Sequence, residues 1–456
     1  MIDTLMLSRI QFASNITFHI LFPTITIALG WFLFFFKLKF VRTQNEIWNE
    51  AYKFWVKIFA LTFALGVVSG LTMSFQFGTN WPGYMEKVGN IAGPLLAYEV
   101  LTAFFLEATF LGVMLFGTNR VSQKTHLVAT FLVAFGTTLS AFWIIALNSW
   151  MQTPQGHKII DGIVFADSWL AIIFNPSMPY RLMHMMMASF LTAAFFVAGV
   201  SAYRSLKGST SVSNNLTLKL AVTIAAILIP FQILLGDLHG TNTLEHQPAK
   251  LAAMEGIWKT GGNVPAVIFA IPDQTSKSNL YEIAIPNLAS LYLTHTWDGE
   301  VKGLDAFGTD IPPVLPVFFA FRIMVGVGIL MLCISWFGFW RLRREQVLPR
   351  WFKASLVGMT FSGWIAVVSG WYVTEIGRQP FLVSGILRTA DAVTTVPSSM
   401  VLSTLLLYLI LYIGLLATYI WIVFYMARKA DQLPADLQDI DNKSISSTNL
   451  SGLAKS

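Results

Sequence analysis

Nine apolar runs, at roughly residues 11–36, 54–79, 94–117, 126–150, 180–203, 217–236, 314–340, 354–373 and 400–427, dominate this 456-residue chain. Each approaches the ~20 residues that a helix needs to cross ~30 Å of hydrocarbon. Lipid offers no partner to backbone N–H and C=O groups, so such runs must be helical. The expected fold class is an all-α polytopic membrane protein with nine transmembrane helices. Only 12% of residues are charged, about half the share of a soluble domain. The net charge of +6 is no nucleic-acid signal, because the cations cluster at the ends of the runs. The single cysteine, Cys333, lies inside a run and supports no disulfide framework. The N-terminal stretch MIDTLMLSRIQFASNITF has neither a basic n-region nor a small-residue cleavage site, so the first run is expected to stay.

Lysine and arginine in short connections set the orientation. The connections after runs one, three, five and seven hold fifteen cations, and those after runs two, four, six and eight hold nine over far more residues. The N-terminus is therefore expected outside and the C-terminus in the cytoplasm. This divides the chain into residues 1–236 with six spans, an outer loop at 237–313, three further spans at 314–427 and a disordered cytoplasmic tail at 428–456. The outer loop opens with GDLHGTNTLEHQPAKLAAMEG, which carries Asp237, His239, Glu245, His246, Lys250 and Glu255. A loop this rich in functional groups, held by a rigid scaffold, is where binding concentrates.

Several polar groups lie inside the runs. Ionisable residues at membrane depth are costly and by default mark a function. His19 is in the first run and His184 lies near the start of the fifth, in RLMHMMMASF. Glu99 and Glu107 share the third run, and their spacing of eight places them near one helix face. They suit proton relay, the structural alternative being ion pairs with Arg9, Arg322 or Arg378. Arg322 and Met324 lie in the seventh run, and Glu375 ends the eighth, just before Arg378. His126, at the edge of the fourth run, is expected to be interfacial. At ~1.5 Å per residue, His184 and Glu99 lie roughly 6–8 Å below the outer boundary, and His19 and Met324 roughly 12–16 Å. Glu375 lies near the surface and Glu107 roughly 20 Å deep.

Two protein classes use such groups. An ion or proton transporter also needs intramembrane carboxylates, but favours a midplane site and inverted repeats, and no internal repeat is visible. A haem-bearing oxidoreductase accounts for the histidines, the methionine, the carboxylates and the outer loop together, since histidine and methionine form an axial pair for low-spin haem.

The motifs SRIQFASNITFH, YEVLTAFFLEATFLG, ALNSWMQTPQG, GDLHGTNTLEHQPAKLAAMEG, FRIMVG and WYVTEIGRQP occur in this order along nearly the whole chain. Through them the chain resembles subunit I of the cytochrome bd quinol oxidases, including the cyanide-insensitive branch, with an outer loop of the short type. The resemblance implies a quinol:O2 oxidoreductase of the bacterial cytoplasmic (inner) membrane that reduces O2 to water and builds proton motive force without pumping. Its cofactors would be a low-spin haem b, a high-spin haem b, and haem d or a third haem b. His184 and Met324 would be the axial ligands of the low-spin haem. His19 and Glu375 would be axial ligands of the two high-spin haems, in an order left open. Glu99 and Glu107 would stand beside those haems, with Glu107 and Ser140 on a proton route from the cytoplasm. Lys250 and Glu255 would handle the quinol. Arg322 and Arg378 would balance haem propionates, with Arg9 and Asn148 as further candidates. The partners implied are subunit II, small single-helix subunits, membrane quinol and O2, with no nucleic acid.

Overall fold

Polar caps and terminal charges set the helix ends. In the computed structural model, which describes residues 3–430 apart from 119 and 345, the Asp3 carboxylate accepts from Met6 N at 2.7 Å and starts α1 (Thr4–Thr43). Asn45 likewise caps α2 (Glu46–Thr79). After α3 (Pro82–Phe116), Ser122 caps α4 (Gln123–Gln152). α5 (Met178–Leu206) precedes α6 (Val212–His246) and the short α7 (Pro248–Glu255). The chain closes with α8 (Val314–Arg343), α9 (Arg350–Ile376) and α10 (Ser398–Lys429). Cations favour helix C-termini, and Arg42, Arg204, Arg341, Arg343, Arg428 and Lys429 occupy the last turns of α1, α5, α8 and α10.

Among the described residues nine helices are long and apolar enough to cross a membrane, as the sequence implies. α1 and α5 are the most enclosed, and α10 and α8 are the most peripheral. Within lipid, helices associate through close packing and interhelical hydrogen bonds rather than through hydrophobic burial. Both devices are present. A Cβ on Gly363 of α9 would fall 2.3 Å from Thr192 Oγ1 of α5, so only glycine permits that approach. Pro230 in α6 lacks the N–H that would reach the carbonyl of Ala226. The Trp336 indole of α8 donates to that carbonyl at 3.0 Å, avoiding the ~1–3 kcal/mol of an unpaired buried acceptor.

Four features depart from the sequence reading. First, α6 continues ten residues past Gly236, so the loop proper begins at Gln247 and not at 237. Second, the connections carry three two-stranded antiparallel hairpins: β1 (His157–Ile160) with β2 (Ile163–Ala166), β3 (Ala266–Asp273) with β4 (Ser278–Ile285), and β5 (Phe381–Val383) with β6 (Leu387–Arg388). The chain is thus mostly helical rather than wholly so. Third, α3 contains a π turn over Ala103–Ala108. Fourth, His126 is buried, with Nε2 3.2 Å from the Met114 carbonyl, because α3 and α4 close over it. The tail expected from 428 lies outside the described residues beyond position 430.

Candidate functional site

The two carboxylates of α3 are brought together by the π turn. Eight residues of ideal α-helix leave an offset of about 80° at 100° per residue. The wider π turn rotates less per residue and removes part of that offset; π turns of this kind recur at functional sites. α4 meets both acids. Ser140 donates to Glu99 at 3.0 Å. One turn earlier, a Cβ on Gly136 would lie 3.0 Å from the Glu107 Cγ. Glu107 is buried, and its Oε1 has no hydrogen-bond partner. Among the described residues no cation is within ion-pair distance of either acid, so the structural pairing with Arg9, Arg322 or Arg378 does not form.

The imidazoles and the thioether each lie against bare helix backbone. His19 sets Nδ1 3.0 Å from Ser69 Oγ, leaving Nε2 free of that contact, and a Cβ on Gly70 would sit 3.0 Å from its Cε1. A partner on one ring nitrogen that orients the other is the usual arrangement of a metal-ligating histidine. His184 has a buried Nδ1 without a partner, while its Nε2 is 3.3 Å from the Gln232 amide. A Cβ on Gly236 would come within 3.3 Å of His184 Cε1, and one on Gly370 within 3.0 Å of Met324 Sδ. The His239 ring packs on His184 with centroids 5.6 Å apart.

A buried basic cluster joins these elements. Glu375 accepts from Asn148 at 3.0 Å and pairs with Arg378, and Arg181 bonds Asn148. Arg9 donates to Gln379 at 3.1 Å. Lys250 is buried and donates to Gln152 at 2.6 Å and to Gln247 at 2.8 Å. Gln152 in turn lies 3.5 Å from Glu375. One carboxylate thus faces three basic groups, Arg378, Arg181 and Lys250, and buried nitrogens of Arg9, Arg181 and Arg378 have no partner. Both oxygens of Glu375 are engaged by protein donors, so ligation by Glu375 requires one contact to open. Arg181 was missed as a site residue from sequence, although its place one turn before His184 in YRLMH was the available signal.

Arg322 is not part of this cluster. Its guanidinium donates to the carbonyls of Met254, Val267, Ile268 and Phe318 and stacks on the Phe318 ring. It also lies 4.0 Å from Glu255. Loop carbonyls and Glu255 therefore engage the charge that the family resemblance would place against propionates. Lys250 and Glu255 are five apart on α7 and so point about 140° apart. Lys250 turns to the basic cluster, and Glu255 turns to Arg322 and Tyr292. Burial, with Arg181 and Arg378 nearby, pushes the Lys250 amine well below the usual lysine range. Burial pushes the Glu255 carboxyl up, against a Tyr292 hydrogen bond and the Arg322 charge. A groove of about 430 Å³ opens beside Gly256, lined by Trp258, Val264 and Asn279 among others. A second, of about 260 Å³, lies between Gln152, Pro176 and His246.

These residues fit haem. The imidazole and thioether donors present themselves singly, as axial ligands do, and the surplus of unpartnered guanidinium nitrogens matches anionic propionates. Fold and donor set define a class: a polytopic helical membrane protein suited to carry tetrapyrroles. The sequence profile of the family described as "Cytochrome bd terminal oxidase subunit I" matches residues 7–431. The chain is 35% identical to the "Cytochrome bd ubiquinol oxidase subunit 1" of Bacillus subtilis (strain 168), covering 92% of each chain. It is 33% identical to the "Cytochrome bd-II ubiquinol oxidase subunit 1" of Escherichia coli (strain K12), covering 96% of this chain and 98% of that one. A solved structure of bd oxidase from Geobacillus thermodenitrificans superposes with a TM-score of 0.86 at 30% identity, covering 94% of this chain and 99% of that one. The chain belongs to the cytochrome bd terminal oxidase subunit I family.

Proposed function

We propose that this chain oxidises a membrane quinol at its loop end and passes the electrons to O2, as a quinol:O2 oxidoreductase. The observation that carries this reading is the continuous buried cluster from Lys250 through Gln152, Glu375 and Asn148 to Arg181, one turn from His184. It links a loop residue to a candidate ligand. In this reading the loop and the N-terminus face outward, and the protein spans the bacterial cytoplasmic membrane. Residues 1–236 and 314–427 form the haem-carrying bundle, and the loop forms the quinol site. The chain assembles with a second membrane subunit and with small single-helix subunits.

His184 and Met324 would hold the low-spin haem b. His19 and Glu375 would hold the two high-spin haems, one b and the other d or b. Arg378, Arg181 and Arg9 would meet the propionates. When bound, these haems supply electron transfer and oxygen reduction. The chain's own residues handle position and protons. Quinol oxidation releases protons, and the ionised Glu255 carboxylate accepts one and becomes a neutral carboxyl, the form its burial favours. Lys250 donates a hydrogen bond to a quinone oxygen. Glu107, Ser140 and Glu99 carry protons inward from the cytoplasmic side, so charge crosses the membrane without a pump.

The two loop groups set a pH profile. Glu255 works as a base only when ionised, so kcat/KM for quinol rises with pH through its elevated pKa. Lys250 works as a cation, so the rate falls as pH passes its lowered pKa. Oxygen-electrode rates against pH are expected to give a bell. Glu255→Gln removes the acidic limb and Lys250→Arg moves the basic limb upward. A flat profile, or limbs that neither variant moves, would refute these roles.

A second variant tests the thioether. Gly370→Ala places a methyl 3.0 Å from the Met324 sulfur. Overpacking of this kind costs roughly 1–3 kcal/mol. The low-spin haem band and its midpoint potential are expected to shift, with the two high-spin signals unchanged.

A further inference from the structure

We propose that the β3–β4 hairpin is an interfacial foot, whose exposed apolar edge rests in the lipid of the leaflet at the loop end. The hairpin's level is fixed by Arg322, eight residues inside α8, which donates to the Val267 and Ile268 carbonyls at the root of β3. At ~1.5 Å per residue, that root lies ~12 Å along the helix from Val314. At the other end of α8, Trp336 and Trp340 are exposed, as interfacial aromatics are. The ~20 residues that cross the hydrocarbon, counted back from Trp340, end close to Arg322. The two turns before Arg322, and the hairpin packed on them through Val267, Ala270, Phe318 and Phe319, therefore stand at headgroup depth.

Polarity along the hairpin follows the same axis. Its tip is polar. Asp273 accepts from Thr275 N at 2.9 Å and from Ser276 Oγ at 2.6 Å, and Gln274 accepts from Val314 N at the start of α8. From Ile271 and Leu280 below the tip to Ile268, Ile283 and Ile285 at the root, apolar side chains are exposed, and so is Ile323 of α8, next in sequence to Arg322. The hairpin thus carries exposed apolar side chains while packed on a membrane helix that has an exposed isoleucine beside the residue anchoring it. Between the pairs Phe269↔Ile283 and Ile271↔Leu280, β4 carries one more residue than β3. Tyr281 sits in this bulge with φ 54°, a strained left-handed backbone for a tyrosine, and its side chain is 78% exposed. Bulges re-aim side chains, and tyrosine is a preferred residue at the membrane–water interface. In water such a patch would be a liability, whereas lipid at this depth accommodates both the apolar root and the polar tip.

The test uses the whole oxidase in phosphatidylcholine/phosphatidylglycerol vesicles. In a Cys333→Ser background, Ile283→Cys or Ser276→Cys is labelled with an environment-sensitive fluorophore, and retention of the haem spectrum confirms assembly. The label at 283 is expected to lose most of its emission to a lipid carrying a shallow nitroxide and little to aqueous iodide. The label at 276 is expected to show the reverse. Iodide quenching of both labels to the same extent would overturn the proposal. So would protection of the 283 label from both quenchers, which would mean that protein covers the hairpin.

Discussion

His184→Ala is expected to erase the low-spin haem signal from the reduced-minus-oxidised spectrum while leaving the high-spin bands. Three observations converge on this side chain. It lies buried on α5 with an unpartnered Nδ1. Gly236 of α6 lets bare helix backbone pack against its ring, where a Cβ would lie 3.3 Å from Cε1. The cluster that begins at Lys250 ends at Arg181, one turn away. In the proposed reading, loss of the imidazole removes the haem through which electrons from quinol would enter. Quinol oxidation is expected to fall by roughly 10²-fold or more, the scale on which losing a metal-site partner acts. An artificial one-electron donor that reaches the high-spin site directly should retain more of its rate. An intact low-spin band in His184→Ala would refute the assignment.

Glu107→Gln is the second large effect. A carboxyl near mid-membrane costs roughly 2.5–3.5 kcal/mol by insertion scales, and no cation offsets Glu107 among the described residues. The π turn, the approach at Gly136 and the neighbouring Ser140–Glu99 bond hold it on the α4 side. Glutamine keeps the shape and cannot relay a proton. Oxygen consumption is expected to fall by roughly 10²-fold or more, the range of a general acid–base contribution. Membrane potential, read with a voltage-sensitive dye, should fall in step, and Glu107→Asp should recover part of both. Full rate with full potential in Glu107→Gln would remove the relay role.

The spans were legible because hydrocarbon thickness writes itself into run length. Their ends were less so. Hydropathy stops where lipid stops, yet α6 runs on to His246, held by contacts such as Asn242 to the Pro176 carbonyl at 3.2 Å. A helix that leaves the membrane keeps its backbone hydrogen bonds but loses its apolar signature. The hairpins were hidden for a related reason: β3 and β4 each hold eight residues, too short to stand out beside the spans. Of the site, individual residues could be picked out, because a histidine or glutamate in an apolar run is conspicuous. Their partners could not. Arg322 reads as an intramembrane charge, but only three-dimensional contact shows it engaged by four carbonyls. Arg181 reads as a loop cation, yet it lies buried in the centre of the basic cluster. The opposite directions of Lys250 and Glu255 likewise depend on the loop forming a helix at Pro248–Glu255.

The central claim is that this bundle carries haem on His184, Met324, His19 and Glu375. It is tested most directly by pyridine haemochrome analysis of the purified complex, combined with its reduced-minus-oxidised spectrum. The account predicts three haems per chain, at least two of them haem b, with one low-spin component. A complex that consumes quinol and O2 with no haem, or that contains none and moves ions instead, would contradict it.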